Sequence, residues 1–193
     1  MRRPRQNSET LDMLLMSMLN RTNLSGYDIA RLLKDPIPLI WPVKHSQIYP
    51  ALANLEARGE IDGEWVDQKG RPAKKTYSLA TLGRTRLREW LVQPRQTLSQ
   101  EEAILLAYNF KLVGTEAAVE AFRTYRKQAE QEIGLLEERW AHLADILQSG
   151  DGTAGPRATF EFALSTRRAR IMWCDQVIAR IVADPNLAQT IDN

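Results

Sequence analysis

Cationic side chains are concentrated in two short segments of the first half of the sequence. Lys44 and His45 precede a segment with helical apolar spacing. Four more cations crowd one polar turn: Lys69, Arg71, Lys74 and Lys75. Closely spaced cations neutralise phosphates and release their counterions, so this pattern favours contact with a polyanion beside a groove. The alternative is a basic turn that is merely solvated.

Amide and hydroxyl side chains follow directly after the first two cations. Ile48, Leu52 and Leu55 recur at helical spacing and are predicted to form the buried face of a helix. The opposite face then presents a row of polar residues: Ser46, Gln47, Tyr49, Asn54 and Arg58. Gln and Asn side chains read adenine edges, whereas Tyr and Ser more often hold phosphates. An ordinary solvent-facing position is the alternative for each of them.

The elements that must position these groups follow from hydrophobic periodicity. Apolar residues over 11–19 predict a first helix, and Ser25 with Asp28 forms a capping box for a second. The third helix ends at Gly59, and Pro50 is compatible with it if the helix begins only a few residues before that proline. Residues 60–67 and 74–79 are predicted as two short strands, and 81–91 return to helical spacing. This order predicts a winged helix-turn-helix over residues 1–95, whose third helix enters the DNA major groove.

The second half has the pattern of an all-helical dimerisation domain, over residues 96–193. Ser99 and Glu102 form a capping box for a helix that ends at Gly114. A long helix over 115–148 carries a heptad seam of Ile133, Leu136, Trp140, Leu143 and Leu147, and a last helix carries Phe160, Leu164, Ile171, Cys174, Ile178 and Ile181. Arg126 and Arg167 interrupt these stripes. The pattern predicts an antiparallel helix pair with apolar surface left for a second copy, so the expected fold class is mainly α with a small β-hairpin.

Charge and composition agree with this division. Residues 1–95 carry 16 Lys and Arg against 10 Asp and Glu, whereas residues 96–193 carry 10 against 14. Only the first half is therefore expected to contact a polyanion. A single cysteine fits a reducing compartment, and neither an export signal nor an apolar run of about 20 residues is found. We expect a cytoplasmic protein without a membrane segment.

Several other signals carry less weight. Gly150, Gly152 and Gly155 match the dinucleotide-binding spacing but follow a helix rather than a strand, so we expect a loop there. His45 and His142 lack the companions of a metal site, and no cofactor is expected. No nucleophile–base pair or pair of catalytic carboxylates can be assembled, so we do not expect an enzyme. Cys174 lies on an apolar stripe, where packing is favoured over redox sensing.

Aromatic residues in the second half allow two interpretations. The residues concerned are Phe110, Trp140, Phe160, Phe162 and Trp173. They could line a pocket for a small apolar or aromatic effector, because such pockets are largely aromatic. Packing in the core or at the dimer seam is the commoner role.

Two segments resemble the signature of PadR-type transcriptional regulators. The first spans residues 41–61 and includes His45-Ser46-Gln47-Ile48-Tyr49-Pro50-Ala51-Leu52, and the second is Gly70-Arg71-Pro72-Ala73-Lys74-Lys75-Thr76-Tyr77-Ser78-Leu79. The helical second half is similar in layout to the virulence-activator type of C-terminal domain. A departure lies at residues 80–83, where the family usually has Thr and an acidic pair before Gly.

The resemblance implies a homodimer joined by the C-terminal helices, a recognition helix that starts near Ser46, and a DNA-backbone contact by Tyr49. It also implies repression that a small molecule relieves. The sequence therefore predicts a regulator that binds a pseudo-palindromic operator in double-stranded DNA. The alternative from another class is an adaptor that uses the winged fold to bind proteins.

Overall fold

The computed structural model describes residues 5–34, 43–68, 71–93, 97–147 and 154–183. In chain order the elements are α1 (Arg5–Leu19), β1 (Leu24–Ser25), α2 (Gly26–Leu32), α3 (His45–Ala57), β2 (Ile61–Gln68), β3 (Arg71–Leu79), α4 (Thr81–Val92), α5 (Gln100–Val113), α6 (Thr115–Leu147) and α7 (Ala154–Ala183). These described residues divide into two compact units, of which the first holds those within 1–93 and 99–112 and the second holds those within 94–98 and 113–193.

Helix α1 is the centre of the first unit. From Leu11 to Leu19 every residue except Asp12 is buried, so this part of the helix is enclosed on nearly all sides. Helices α3 and α4 and strand β3 pack around it. Helices α3 and α4 and strand β2 add apolar side chains that are almost fully enclosed: Ile48, Leu52, Leu55, Ile61 and Leu87. The predicted inward face of α3 is therefore the face that is buried.

A three-stranded antiparallel sheet in the order β1-β3-β2 completes this unit. Strands β2 and β3 form the predicted hairpin, with Ile61 opposite Leu79 and Trp65 opposite Lys75. The two-residue strand β1 was not predicted, because two residues carry no periodic signal. It places Ser25, the N-cap of α2, beside Thr76 of the hairpin.

Local chemistry explains where the short helices begin and end. The predicted capping box at Ser25 is present, since its hydroxyl accepts from the Asp28 amide and the Asp28 carboxylate accepts from the Ser25 amide. Gly59 follows α3 with a φ of 68°, a left-handed conformation that glycine adopts without strain. Helix α3 begins five residues before Pro50, so the missing proline amide leaves the Ser46 carbonyl without its helical donor. Ser46 and Pro50 are both exposed, and water can supply that bond.

Helix α5 packs with the first unit, although the sequence assigned it to the second domain by a boundary after residue 95. Its backbone is non-helical at Asn109, whose buried side chain donates to Ser17 Oγ and to the Leu105 carbonyl, both at 2.8 Å. Arg21 donates to the Tyr108 carbonyl at 2.9 Å. The bonds that involve Ser17 of α1 and Arg21 just after it explain the attachment, and sequence periodicity could not reveal them because they join residues far apart in the chain.

The second unit contains the two long helices α6 and α7, which run antiparallel. As the chain advances along α7, its partners recede along α6: Phe160 stacks on Trp140, Arg167 pairs with Glu132, and Asp175 pairs with Arg126. The two arginines that interrupt the apolar stripes thus form ion pairs across the helices, with distances of 2.8–2.9 Å.

The described residues contain neither a candidate membrane span nor a candidate metal cluster. No helix among them is long and apolar enough to cross a membrane. No group of three or more His, Cys, Asp and Glu side chains in the same ranges is arranged to hold a metal ion. Gly150 and Gly152 of the glycine-rich match lie outside the described residues, whereas Gly155 lies in the first turn of α7.

Candidate nucleic-acid interface

Helix α3 presents its polar residues on the side opposite the core. Ser46, Gln47 and Asn54 are exposed, and Tyr49 is 48% exposed. The Tyr49 ring also lies over Gly26 at the start of α2, where an added Cβ would come within 2.8 Å of its Cε1 atom. Ile48 and Leu52 anchor the inner face, so the polar row has a fixed orientation. A surface of this kind can donate to and accept from base edges and phosphates.

Lys44 is the N-cap residue of α3 and is exposed. His45 is the first residue of the helix, but its side chain lies outside the described part of the structure. The side chain of Arg71 lies outside it too. Lys69 lies entirely outside it. The predicted roles of His45, Lys69 and Arg71 therefore remain predictions.

The other two predicted lysines lie on the wing, which is the hairpin of β2 and β3, and each contacts a carboxylate. Lys75 Nζ lies 2.7 Å from Glu56 of α3 and 5.5 Å from the centre of the Tyr77 ring. Lys74 Nζ lies 3.4 Å from Asp28 of α2. Both bonds join strand β3 to the helices beside it, which the sequence did not show because the partners lie 19 and 46 residues away.

Electrostatics at the base of the wing follow from these contacts. The hydrogen bond to Glu56 raises the pKa of Lys75, so its charge is secure at neutral pH. The hydrogen bond from the Ser25 hydroxyl, together with the nearby Lys74 ammonium, lowers the pKa of Asp28. Burial raises the pKa of Tyr77, which stays a neutral phenol beside Lys75. The base of the wing thus carries two cations with two anions.

Three exposed aromatic or apolar residues were missed by the sequence interpretation. Trp65 of β2 is 68% exposed, and Val66 beside it and Tyr27 of α2 are also exposed. Alternation along β2 puts Trp65 on the same strand face as the buried Ile61, which argues for burial. The strand extends beyond the core, however, and leaves the indole in solvent. The one signal in the sequence that could have pointed to this exposed residue is its position, as a large apolar residue close to a basic turn.

Aromatic residues of the second unit lie mainly between its helices. Trp173 makes edge contacts with Phe122 and Tyr125, at centroid distances of 5.6 and 6.4 Å, and Trp140 stacks on Phe160 at 4.7 Å. Phe162 differs, because it is 71% exposed. Phe110, the remaining member of the predicted set, lies on α5 in the first unit and is half-buried.

A groove of about 510 Å³ runs along one face of α7. None of the predicted aromatic residues lines it. Its lining residues are Arg168, Ile171, Met172, Asp175, Gln176 and Ala179.

Cys174 is expected to be chemically inert in the folded protein. Its side chain is buried, and burial raises the pKa of the thiol to about 11. The thiolate is the reactive form, so very little is available at pH 8. We expect a chromogenic disulfide reagent to leave the native chain unmodified and to label one thiol per chain in guanidinium chloride. Rapid labelling of the native chain would contradict this and would favour a role of Cys174 in redox sensing.

Three helices, a hairpin and an exposed polar row on the third helix define a winged helix-turn-helix with a helical second unit. Comparison with known proteins agrees with this class. Residues 15–89 match the family described as "Transcriptional regulator PadR-like family", and residues 101–181 match "Virulence activator alpha C-term". The chain belongs to the PadR-like family of transcriptional regulators, with a virulence-activator type C-terminal domain.

Individual relatives have modest sequence identity to this chain. The negative transcriptional regulator PadR of Bacillus subtilis is 27% identical over 175 residues, which cover 88% of this chain and 96% of that protein. The crystal structure of B. subtilis PadR with operator DNA is 26% identical, covers 89% of this chain and 98% of its own, and has a TM-score of 0.42. The structure of the same protein with p-coumaric acid is 24% identical, covers 95% and 100%, and has a TM-score of 0.40.

Proposed function

We propose that this regulator represses transcription by inserting α3 into the major groove of a specific double-stranded operator while the wing contacts the neighbouring backbone. The observation that carries the proposal is the exposed row of Ser46, Gln47, Tyr49 and Asn54 on a helix whose opposite face is buried. Family membership and the similarity to PadR of B. subtilis, a negative transcriptional regulator, support it. In this proposal the chain acts in the cytoplasm, where its operator is accessible.

Selection of duplexes from a random DNA pool by the purified chain tests this function. Enrichment of one two-fold symmetric sequence is expected, with an affinity that falls steeply as salt rises because phosphate contacts release counterions. Binding that is absent or independent of sequence would contradict the proposal. Affinity for another protein that hardly changes with salt would instead favour the adaptor, since an apolar interface responds weakly to ionic strength.

The second unit is proposed to join two copies, so that two α3 helices reach half-sites about 34 Å apart or a multiple of that spacing. The groove on α7 supports this role. Met172 in the groove is 59% exposed, and the apolar Ile171 and Ala179 share its face at helical spacing, with the polar Asp175 between them. Apolar surface at this spacing is suited to packing against another helix.

Met172→Glu is expected to convert the dimer to a monomer, because dimerisation would take a carboxylate out of water and into the helix contact. Light scattering during gel filtration measures the mass directly. Ala117→Glu, an equally apolar-to-acidic change at an exposed position of α6, is the matched control and should remain dimeric. A dimer that survives Met172→Glu would place the subunit contact elsewhere.

Release of the operator by a small apolar or aromatic effector is proposed from the family resemblance. Titration of the protein–operator complex with p-coumaric acid, the compound crystallised with B. subtilis PadR, gives a direct test. Dissociation at a concentration that leaves the free protein folded would support it. An operator complex that is unaffected by p-coumaric acid would remove this compound as the effector.

A further inference from the structure

Glu56 and Lys75 connect the two elements that the proposed function brings to DNA. Glu56 lies near the C-terminal end of α3, and Lys75 lies on β3 of the hairpin. Their side chains are 31% and 29% exposed, and Lys75 Nζ is 2.7 Å from Glu56 Oε2. The same ammonium lies over the Tyr77 ring. A cation with a carboxylate on one side and an aromatic ring on another has a defined position.

Gly63 provides the space for this ion pair. It is paired with Tyr77 in the hairpin, and the next pair on the same face of the sheet is Trp65 with Lys75. A Cβ atom at Gly63 would collide with Glu56 Oε1 and would lie 2.5 Å from Lys75 Cε. A side chain at this position would therefore displace the ends of the Glu56 and Lys75 side chains, and the absence of one leaves room for the ion pair.

A second ion pair holds the next residue of the same strand. Lys74 contacts Asp28 of α2, and Asp28 is itself oriented by the capping box with Ser25. Successive residues of a strand point to opposite faces. Strand β3 is thus attached to α3 through Lys75 and to α2 through Lys74.

We propose that Glu56, Lys75 and Gly63 form a clamp that sets the angle between the wing and α3, with Lys75 a positioning residue rather than a phosphate contact. The inference rests on the proposed function, because the clamp matters to DNA binding only if both elements contact DNA. Moving Lys75 to a phosphate would break its ion pair with Glu56 and would leave that carboxylate next to a polyanion. The loss of the pair and the repulsion between like charges are both unfavourable.

Operator affinity measured against salt for four full-length variants separates the two roles. Glu56→Gln and Lys75→Gln are each expected to weaken binding roughly fivefold, the effect of losing about one hydrogen-bonded ion pair, while the salt slope stays that of the wild type. Gly63→Ala should weaken binding without any change of charge. The double variant Glu56→Lys with Lys75→Glu should recover most of the affinity that each single change loses.

A phosphate contact by Lys75 predicts a different set of results. Lys75→Gln would lower the salt slope by about one, Glu56→Gln would leave affinity equal or higher, and the exchanged pair would bind worst of all. Any of these overturns the clamp. Arg88→Gln, which removes an exposed cation on α4, is the charge-matched control. Circular dichroism tests whether each variant is folded. If Gly63→Ala is unfolded, the exchanged pair still distinguishes the clamp from a phosphate contact by Lys75.

Failure of the clamp is distinguishable from failure of the proposed function. A wild-type chain that selects no operator removes the proposed function. A wild-type chain that binds its operator, together with a Glu56→Gln variant of equal affinity and equal salt slope, removes only the clamp.

Discussion

Operator binding is expected to fall by roughly 100-fold when Gln47 and Tyr49 are both replaced by Ala, since each contact of this kind contributes about 1–3 kcal/mol. The two single variants should differ in kind. Gln47→Ala removes an amide suited to base edges and should relax the sequence preference. Tyr49→Ala removes a group suited to phosphates and should weaken all sequences alike. Binding curves against the selected operator and against variants with single base changes measure both effects.

Thr85→Ala provides the control, because Thr85 is an exposed polar residue of the same unit but lies on α4. It should bind the operator as the wild type does. Gel filtration should show that the oligomeric state of every variant is unchanged, since α3 lies in the first unit and the proposed dimer contact in the second. Unaltered affinity and unaltered sequence preference in the double variant would remove α3 as the recognition helix.

Gly83→Ala is expected to destabilise the first unit by roughly 3 kcal/mol, with a fall in its transition temperature of about 10 °C. A Cβ atom at Gly83 would collide with the backbone carbonyl oxygen of Glu60 and lie 2.9 Å from Leu79 Cδ1. The Glu60 segment cannot move aside easily. Its carbonyl accepts from the Ala80 amide at 3.1 Å, and its buried carboxylate is bonded by Arg58 and Arg86. Differential scanning calorimetry measures the change.

Gly134→Ala is the matched control, because Gly134 lies within α6 and an added Cβ would meet nothing within 4 Å. Ala is the better helix former by about 1 kcal/mol, so this variant should be slightly more stable than the wild type. The same propensity favours Ala at Gly83, which also lies in a helix, so any loss there must come from the collision. Equal stability of the two variants would show that the contact between α4 and Glu60 is looser than the structure indicates.

Much of the interface surface was predictable because periodicity alone separates the two faces of a helix. Once Ile48, Leu52 and Leu55 are taken as the inner face of α3, Gln47 and Asn54 can only lie outside. Charge was less informative. Lys74 and Lys75 were predicted as phosphate contacts from their position near the turn, but the structure pairs them with Asp28 and Glu56. A basic run in a sequence does not show which of its members have carboxylate partners.

Helix α5 illustrates the same limit for domain organisation. Its capping box and its end at Gly114 were evident from the sequence, because both signals are local. Which unit it joins depends on Asn109 reaching Ser17, a contact between residues 92 positions apart. A polar residue within an apolar segment gives no sign of its partner.

The sequence by itself determined the order of the elements, the inner and outer faces of the helices and the family of this protein. Those properties depend on the spacing of residues that are near each other in the chain, and the family signature is written in the same short segments. Tertiary structure alone decided that Gly63 accommodates an ion pair, that Gly83 lies against Glu60, and that Trp65 is left in solvent. Such properties depend on which distant segments come into contact, and the packing of the core around α1 determines those contacts.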